Sequence, residues 1–213
     1  RAAGGCGMTA VAPWIAALLL VCAAGLAWSA ATTDSVTVDE PAHVVAGYAS
    51  LVTGDFRLSP DHPPLARWLL ALPLLEQSGP WPAVETEAWQ RGDIFALGRD
   101  FFETPNEGEQ RILKSRAVAI CFLLALLSAV AWIAREFHGL PGALLATTLV
   151  AFDPGFLAHG HLATIDVPFS LAIISVLACA HRWLERPTPG RLALLALGFA
   201  TLTLVKLSWV LVV

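Results

Sequence analysis

Charge is scarce in this chain of 213 residues: Asp, Glu, Lys and Arg make up 14% of it and hydrophobic residues 56%, against about 25% and ~45–50% in soluble domains. With a mean hydropathy of +0.66, that balance excludes an ordinary soluble domain and points to an all-α membrane protein, a multi-spanning helical bundle. There is no Lys/Arg block, and the formal net charge is −4, so nothing calls for a nucleic-acid partner. The four cysteines have no spacing of a disulfide framework or zinc site. Cys22, Cys121 and Cys179 lie inside apolar runs and Cys6 precedes the first, as packing residues do. An internal repeat, common in transporters, is also missing.

Apolar runs of membrane length are present. Ala10 to Ala31 is about 20 residues long, enough for a helix to cross a ~30 Å hydrocarbon core. A cleaved signal peptide is the alternative for this run, with Arg1 and Ala-Trp-Ser-Ala-Ala imitating its flanks. Further spans are expected at 117–134, 140–158, 167–183 and 192–213, the last interrupted by Lys206. Gly139 and Pro141-Gly142 mark a tight turn, so the second and third spans should be antiparallel neighbours. The chain starts at Arg1 and stops at Val213 inside an apolar run, so residues 1–213 are expected to be the N-terminal part of a longer transmembrane domain.

Residues 32–116 form a long polar loop with two amphipathic pieces, Glu40 to Leu51 and Pro63 to Leu75. A third region carries Trp81, Trp89, Phe95, Phe101 and Phe102. With Trp68, these rings suit helices lying along the membrane surface; a small folded loop with its own aromatic core is the alternative. If the N-terminus is cytoplasmic, the inner side holds Arg1, Arg135, Arg182, Arg186 and Arg191, while the loop from His159 to Asp166 has no Lys or Arg. The positive-inside rule then puts that loop and the long loop together on the outer face.

On that face Asp39-Glu40-Pro41, Asp61-His62-Pro63 and Asp166-Val167-Pro168 share one pattern, Asp-x-Pro before a helical segment. Singly each reads as a helix cap. Together they are clustered carboxylates, suited to a general base or a divalent-metal site. His43, one helical turn from Asp39, and the His159/His161 pair could support such a site. If a metal is used, Asp39, Asp166 and His161 are its candidate ligands; no cofactor is otherwise called for. Lys206 lies ~20 Å along the fifth span, either snorkelling to the interface or meeting an anionic lipid headgroup. Arg116, at the outer end of the second span, is an interfacial anchor or a second cation for that group.

Val38-Asp39-Glu40-Pro41-Ala42-His43, then Gly54-Asp55-Phe56 and Asp61-His62-Pro63-Pro64-Leu65, resemble the first outer loop of GT-C glycosyltransferases, in the family 39-like branch of protein O-mannosyltransferases and lipid A aminoarabinose transferases. Ala151-Phe152-Asp153-Pro154 through Ala158-His159-Gly160 to Thr164-Ile165-Asp166-Val167-Pro168 resembles the second outer loop of bacterial members, and Val205-Lys206-Leu207-Ser208 fits the same pattern. The resemblance implies an enzyme that moves a sugar, with inversion, from a polyprenyl-phosphate carrier to an acceptor hydroxyl on a lipid, glycan or protein. The site would face the periplasm or exterior of a bacterial inner (plasma) membrane. It implies Asp39 as the catalytic carboxylate, Glu40 as its companion and Asp166 as the second-loop acid. Asp61-His62 stands where aminoarabinose transferases carry Glu-Lys. Lys206, His62 and Arg116 are the cations for the donor phosphate, with Asp61, His43, His159 and His161 in support. The competing reading from the residues alone is a multi-pass transporter or flippase, or a non-catalytic binder, of a lipid-linked substrate.

Overall fold

A computed structural model describes residues 5–76, 81, 84–105 and 107–211; Arg1 and the last two residues of the expected fifth span lie outside them, as does the side chain of Cys6. Among the described residues the regular structure is all helical. The helices are α1 (Gly5–Thr33), α2 (Ala46–Thr53), α3 (Leu65–Ala71), α4 (Glu87–Arg91), α5 (Ile94–Phe102), α6 (Gly108–Ala151), α7 (Pro154–Gly160), α8 (Asp166–Glu185) and α9 (Pro189–Val205). Three of them are long and apolar enough to cross a membrane, Pro13–Thr33 of α1, α6 and α8, and α9 is a shorter apolar helix. The protein is an all-α membrane protein.

The helices run where the sequence lacks breakers and stop where it supplies them. α6 is kinked at Gly139, which has φ 67° and ψ −164°, a conformation only glycine adopts without strain. The 44 residues are therefore two legs, and Ala151 at the end of the second packs in one core with Ala27, Leu123 and Leu127 of α1 and the first leg. The expected third span, 140–158, is cut short. Its helix ends at Ala151, and Asp153 accepts a hydrogen bond from the Phe156 N–H to cap a separate helix, α7. The expected fifth span is broken too: α9 ends at Val205, Lys206 is extended at φ −156° and ψ 128°, and Leu207–Leu211 is a 3-10 turn.

α1 meets α6 through Ala23, Ala27 and Ala31, all fully or almost fully buried. Four-residue spacing of a small side chain gives a flat stripe on which Ile120, Leu123 and Leu127 can sit. α8 packs between α6 and α9.

The long loop folds onto the end of the bundle where α1 stops and α6 begins. Helical structure starts at Asp39 and includes a π turn at Pro41–Val45 before α2. Such wide turns are uncommon and concentrate at functional sites. The aromatic residues expected at a lipid interface instead build a core. Trp89 and Phe101 are buried, and Tyr48, Trp81 and Phe101 form a triangle with ring centroids 4.4–5.5 Å apart. Phe95 is exposed. Arg111 fixes this core to α6, donating to the Phe101 carbonyl at 2.7 Å and stacking on its ring. The rings pair with each other because the loop has enough apolar residues, among them Val44, Val45, Leu70, Leu74 and Leu97, to exclude water by itself.

α2 and α3 are in backbone contact at Gly47, where an added Cβ would lie 2.4 Å from the Arg67 carbonyl oxygen. Gly47→Val should therefore push α3 away from α2 and lower stability by roughly 1–3 kcal/mol, read as an earlier thermal unfolding transition of the detergent-solubilised protein. An unchanged transition would show that the two helices are not held in register here.

Candidate active site

Arg116 and Glu40 lie at the meeting point of α1, the first loop, α6 and the second loop. Both side chains are essentially without solvent exposure. Arg116 Nε donates to Glu40 Oε1 and Nη2 to Oε2, each at 2.8 Å. Nη1 donates to the Ala31 and Asp34 carbonyls at 2.8 and 2.7 Å, and Nη2 also to the Ser35 carbonyl at 2.9 Å. Every N–H of the guanidinium has an acceptor. The carboxylate is equally occupied: Oε1 accepts from the Ala163 N–H at 3.0 Å, and Oε2 from the Thr37 N–H and hydroxyl at 2.9 and 3.2 Å.

In this arrangement Glu40, expected as the companion of Asp39, is held by Arg116, and Arg116, expected at the donor phosphate, gives all its N–H groups to Glu40 and backbone carbonyls. Burial alone pushes the Glu40 carboxyl up, but the Arg116 hydrogen bonds, the Ala163 and Thr37 N–H groups and the Arg116 charge together hold it below its ordinary value.

Asp39 contrasts with its neighbour. It is exposed and makes no hydrogen bond or ion pair with a described residue. His43, four residues on and so on the same helix face, is 8% exposed. Its ring stacks obliquely on His62, with centroids 5.3 Å apart, and it lies within electrostatic reach of His62, Arg67, Asp39 and Asp166. Burial first, then the fields of His62 and Arg67, push it down to about 4, so the ring is neutral at physiological pH.

From the second loop and the bundle come Asp166, at the start of α8, and Lys206, at the break after α9. Ala66, Ile165 and Val205 pack together and so bring α3, the second loop and α9 to one place. There Lys206 Nζ donates to Asp166 Oδ1 at 2.8 Å, with Nζ 5.4 Å from the Phe169 ring centroid. His159 is close enough to add its field to Asp166. In the Asp61-His62 turn, the Ser59 hydroxyl donates to Asp61 at 2.9 Å, the main influence holding that carboxyl below its ordinary value, and His62 Nε2 is 3.4 Å from Asp61 Oδ2.

His161 is drawn elsewhere. Its Nδ1 lies 3.1 Å from the Leu157 carbonyl and its Nε2 3.0 Å from Asp34 Oδ2, so both nitrogens that could ligate a metal are engaged. Among the described residues no three His, Cys, Asp or Glu side chains form a metal-holding group.

The sequence reading missed Asp34, Arg67 and the Ala163 amide. Arg67 is buried and donates to the Ser59 and Pro63 carbonyls at 3.0 and 3.3 Å and to the His62 carbonyl, holding the Asp61-His62 turn. Its position was legible, since Arg67, Leu70, Ala71 and Leu74 share the buried helix face. Asp34 and Ala163 carry no such mark: one is the polar end of a span and the other contributes only a backbone N–H.

Residues 102–213, a little over half of the chain, match the family model for dolichyl-phosphate-mannose-protein mannosyltransferase. The chain belongs to that family. No curated protein and no solved structure matches it. Membership in the mannosyltransferase family makes it a membrane glycosyltransferase that uses a lipid-linked sugar donor. The matched stretch contains Arg116, Asp166 and Lys206, while Asp39, His43 and His62 precede it.

The Arg116–Glu40 pair generates a test. Arg116→Met leaves a buried carboxylate unpaired and should cost ~3–5 kcal/mol, with Arg116→Met/Glu40→Met recovering part of that loss. Because the Glu40 pKa is depressed, its stabilisation is complete above the ordinary carboxylate range and fades as pH falls through its lowered value. Glu40→Gln should therefore be less stable at neutral pH and lose this part of the acid dependence. Thermal unfolding across pH checks both; wild-type curves from either variant would remove the pair from this role.

Proposed function

We propose that this mannosyltransferase-family protein transfers a sugar from a polyprenyl-phosphate carrier to an acceptor hydroxyl, inverting the anomeric centre, with Asp39 as the base. The observation that carries the reading is the contrast among the acids: Glu40 is saturated by Arg116, Ala163 and Thr37, Asp166 is paired with Lys206, and Asp39 is exposed and unpaired. A base must be accessible to the acceptor hydroxyl, and Asp39 is exposed with no partner to release first.

Asp39 takes the acceptor hydroxyl proton while that oxygen attacks the anomeric carbon from the side opposite the carrier. The bond from that carbon to the phosphate oxygen breaks, and the phosphate monoester leaves with the electron pair. This is the base half of an inverting displacement. Lys206 has N–H groups beyond the one given to Asp166 and can neutralise the charge gathering on the phosphate. The Asp61-His62 turn, braced by Arg67, borders the same space. The inner-membrane location and the outward orientation of the site rest on the arginine asymmetry of the loops, and the spans and loop of residues 1–213 are read as part of one GT-C transmembrane domain.

The full-length protein in membranes, supplied with radiolabelled polyprenyl-phosphate mannose and extractable acceptors, should transfer label. Asp39→Asn should slow transfer by about 10²–10⁴-fold while carrier binding persists. Equal turnover in the two proteins would remove Asp39 from the chemistry; carrier binding without transfer in both would favour a lipid-carrier binder or flippase.

Lys206→Ala should raise the apparent KM for the carrier roughly ten- to hundredfold, the range of a charge-assisted hydrogen bond. Unchanged donor kinetics would leave Lys206 as the partner of Asp166 alone.

A further inference from the structure

His43 is a buried titratable side chain beside the proposed base that the mechanism above does not use. It is 8% exposed, and its Nδ1 is fully buried without a hydrogen-bond partner. A buried imidazole nitrogen without a partner is tolerated better as a bare acceptor than as an orphaned N–H, as for backbone groups. The proton therefore belongs on Nε2, which is left with the small part of the ring that meets the outside.

The charged and titratable groups around the ring come from separate elements. Asp39 is on the same helical segment, His62 on the turn before α3, Arg67 on α3 and Asp166 at the head of α8. His43 thus stands within reach of both the base of the first loop and the acid of the second, in the wide turn at Pro41–Val45.

We infer that the Nε2–H of His43 donates a hydrogen bond to a hydroxyl of the donor sugar, making His43 a binding and specificity residue of the site, an inference that rests on the glycosyltransferase reading. A sugar hydroxyl suits a neutral donor better than a charged one, and hydrogen bonds to ring hydroxyls next to the reacting carbon strengthen in the transition state of sugar transfer. Neutrality also matters for Asp39. An imidazolium one turn away would stabilise its carboxylate and weaken it as a base, whereas a ring that protonates only near pH 4 leaves the carboxylate free to take a proton.

The test pairs variants with donor analogues. Full-length protein in membranes is given polyprenyl-phosphate mannose and its single-deoxy analogues, using wild type, His43→Ala, His43→Asn and His43→Gln. The Gln amide nitrogen falls near the position of Nε2 and the Asn amide near that of Nδ1. Wild type should discriminate against one deoxy donor by roughly tenfold in kcat/KM. His43→Ala and His43→Asn should transfer the intact sugar more slowly by a similar factor and lose that discrimination, while His43→Gln retains it.

A thermal unfolding curve for each protein separates misfolding from lost recognition. Should His43→Ala not accumulate, the Gln and Asn variants decide alone: equal discrimination in those two would overturn the assignment. Wild type that transfers mannose but discriminates no more than the variants would overturn the His43 role and leave the Asp39 reading intact. No transfer by wild type from any donor would overturn both.

Discussion

The half of this protein that carries the candidate site depends on one buried ion pair. Arg116 reaches from α6 to the end of α1 and to the first loop, and Glu40 passes the connection to the second loop through the Ala163 amide. Two ions without water are costly unless each lone pair and each N–H is answered. Here both groups are saturated, so the cost of burial is offset only in one arrangement of four chain segments. That makes the pair a register device: a shift of α1 along α6 by one turn, about 5.4 Å, would strand a charge.

The same constraint explains how adjacent acids take opposite roles. Successive residues at the start of a helix point about 100° apart, so Asp39 does not follow Glu40 inward and is exposed. The wide turn at Pro41–Val45 follows at once and holds His43 within electrostatic reach of Asp39. Within five residues the chain holds a locked carboxylate, a free one and a neutral imidazole. Only the surroundings distinguish them.

Much of the bundle was legible because apolar runs and breakers act locally. Gly139 breaks α6 and the Thr188-Pro189 cap starts α9 for reasons visible in a few residues. The aromatic loop was ambiguous in sequence, since rings that suit an interface equally suit a core, and the choice depends on partners such as Tyr48 that lie far along the chain. The acids were legible as a cluster but not as individuals. Nothing near Glu40 in sequence announces Arg116, 76 positions away, and nothing near His161 announces Asp34, so two residues expected to serve the donor phosphate or a metal are occupied in holding the scaffold.

The break at Lys206 bears on the bilayer itself. A helix of 17 residues rises about 25 Å, some ångströms short of a ~30 Å hydrocarbon layer. With Pro189 at one boundary of such a layer, the carbonyls of the last turn and the ammonium beyond them would fall short of the opposite headgroups. Lipids that thinned or tilted to wet them would pay fractions of a kcal/mol for each ångström of mismatch. A phosphate tethered to a long isoprenoid tail could sink to that level without drawing its tail into water.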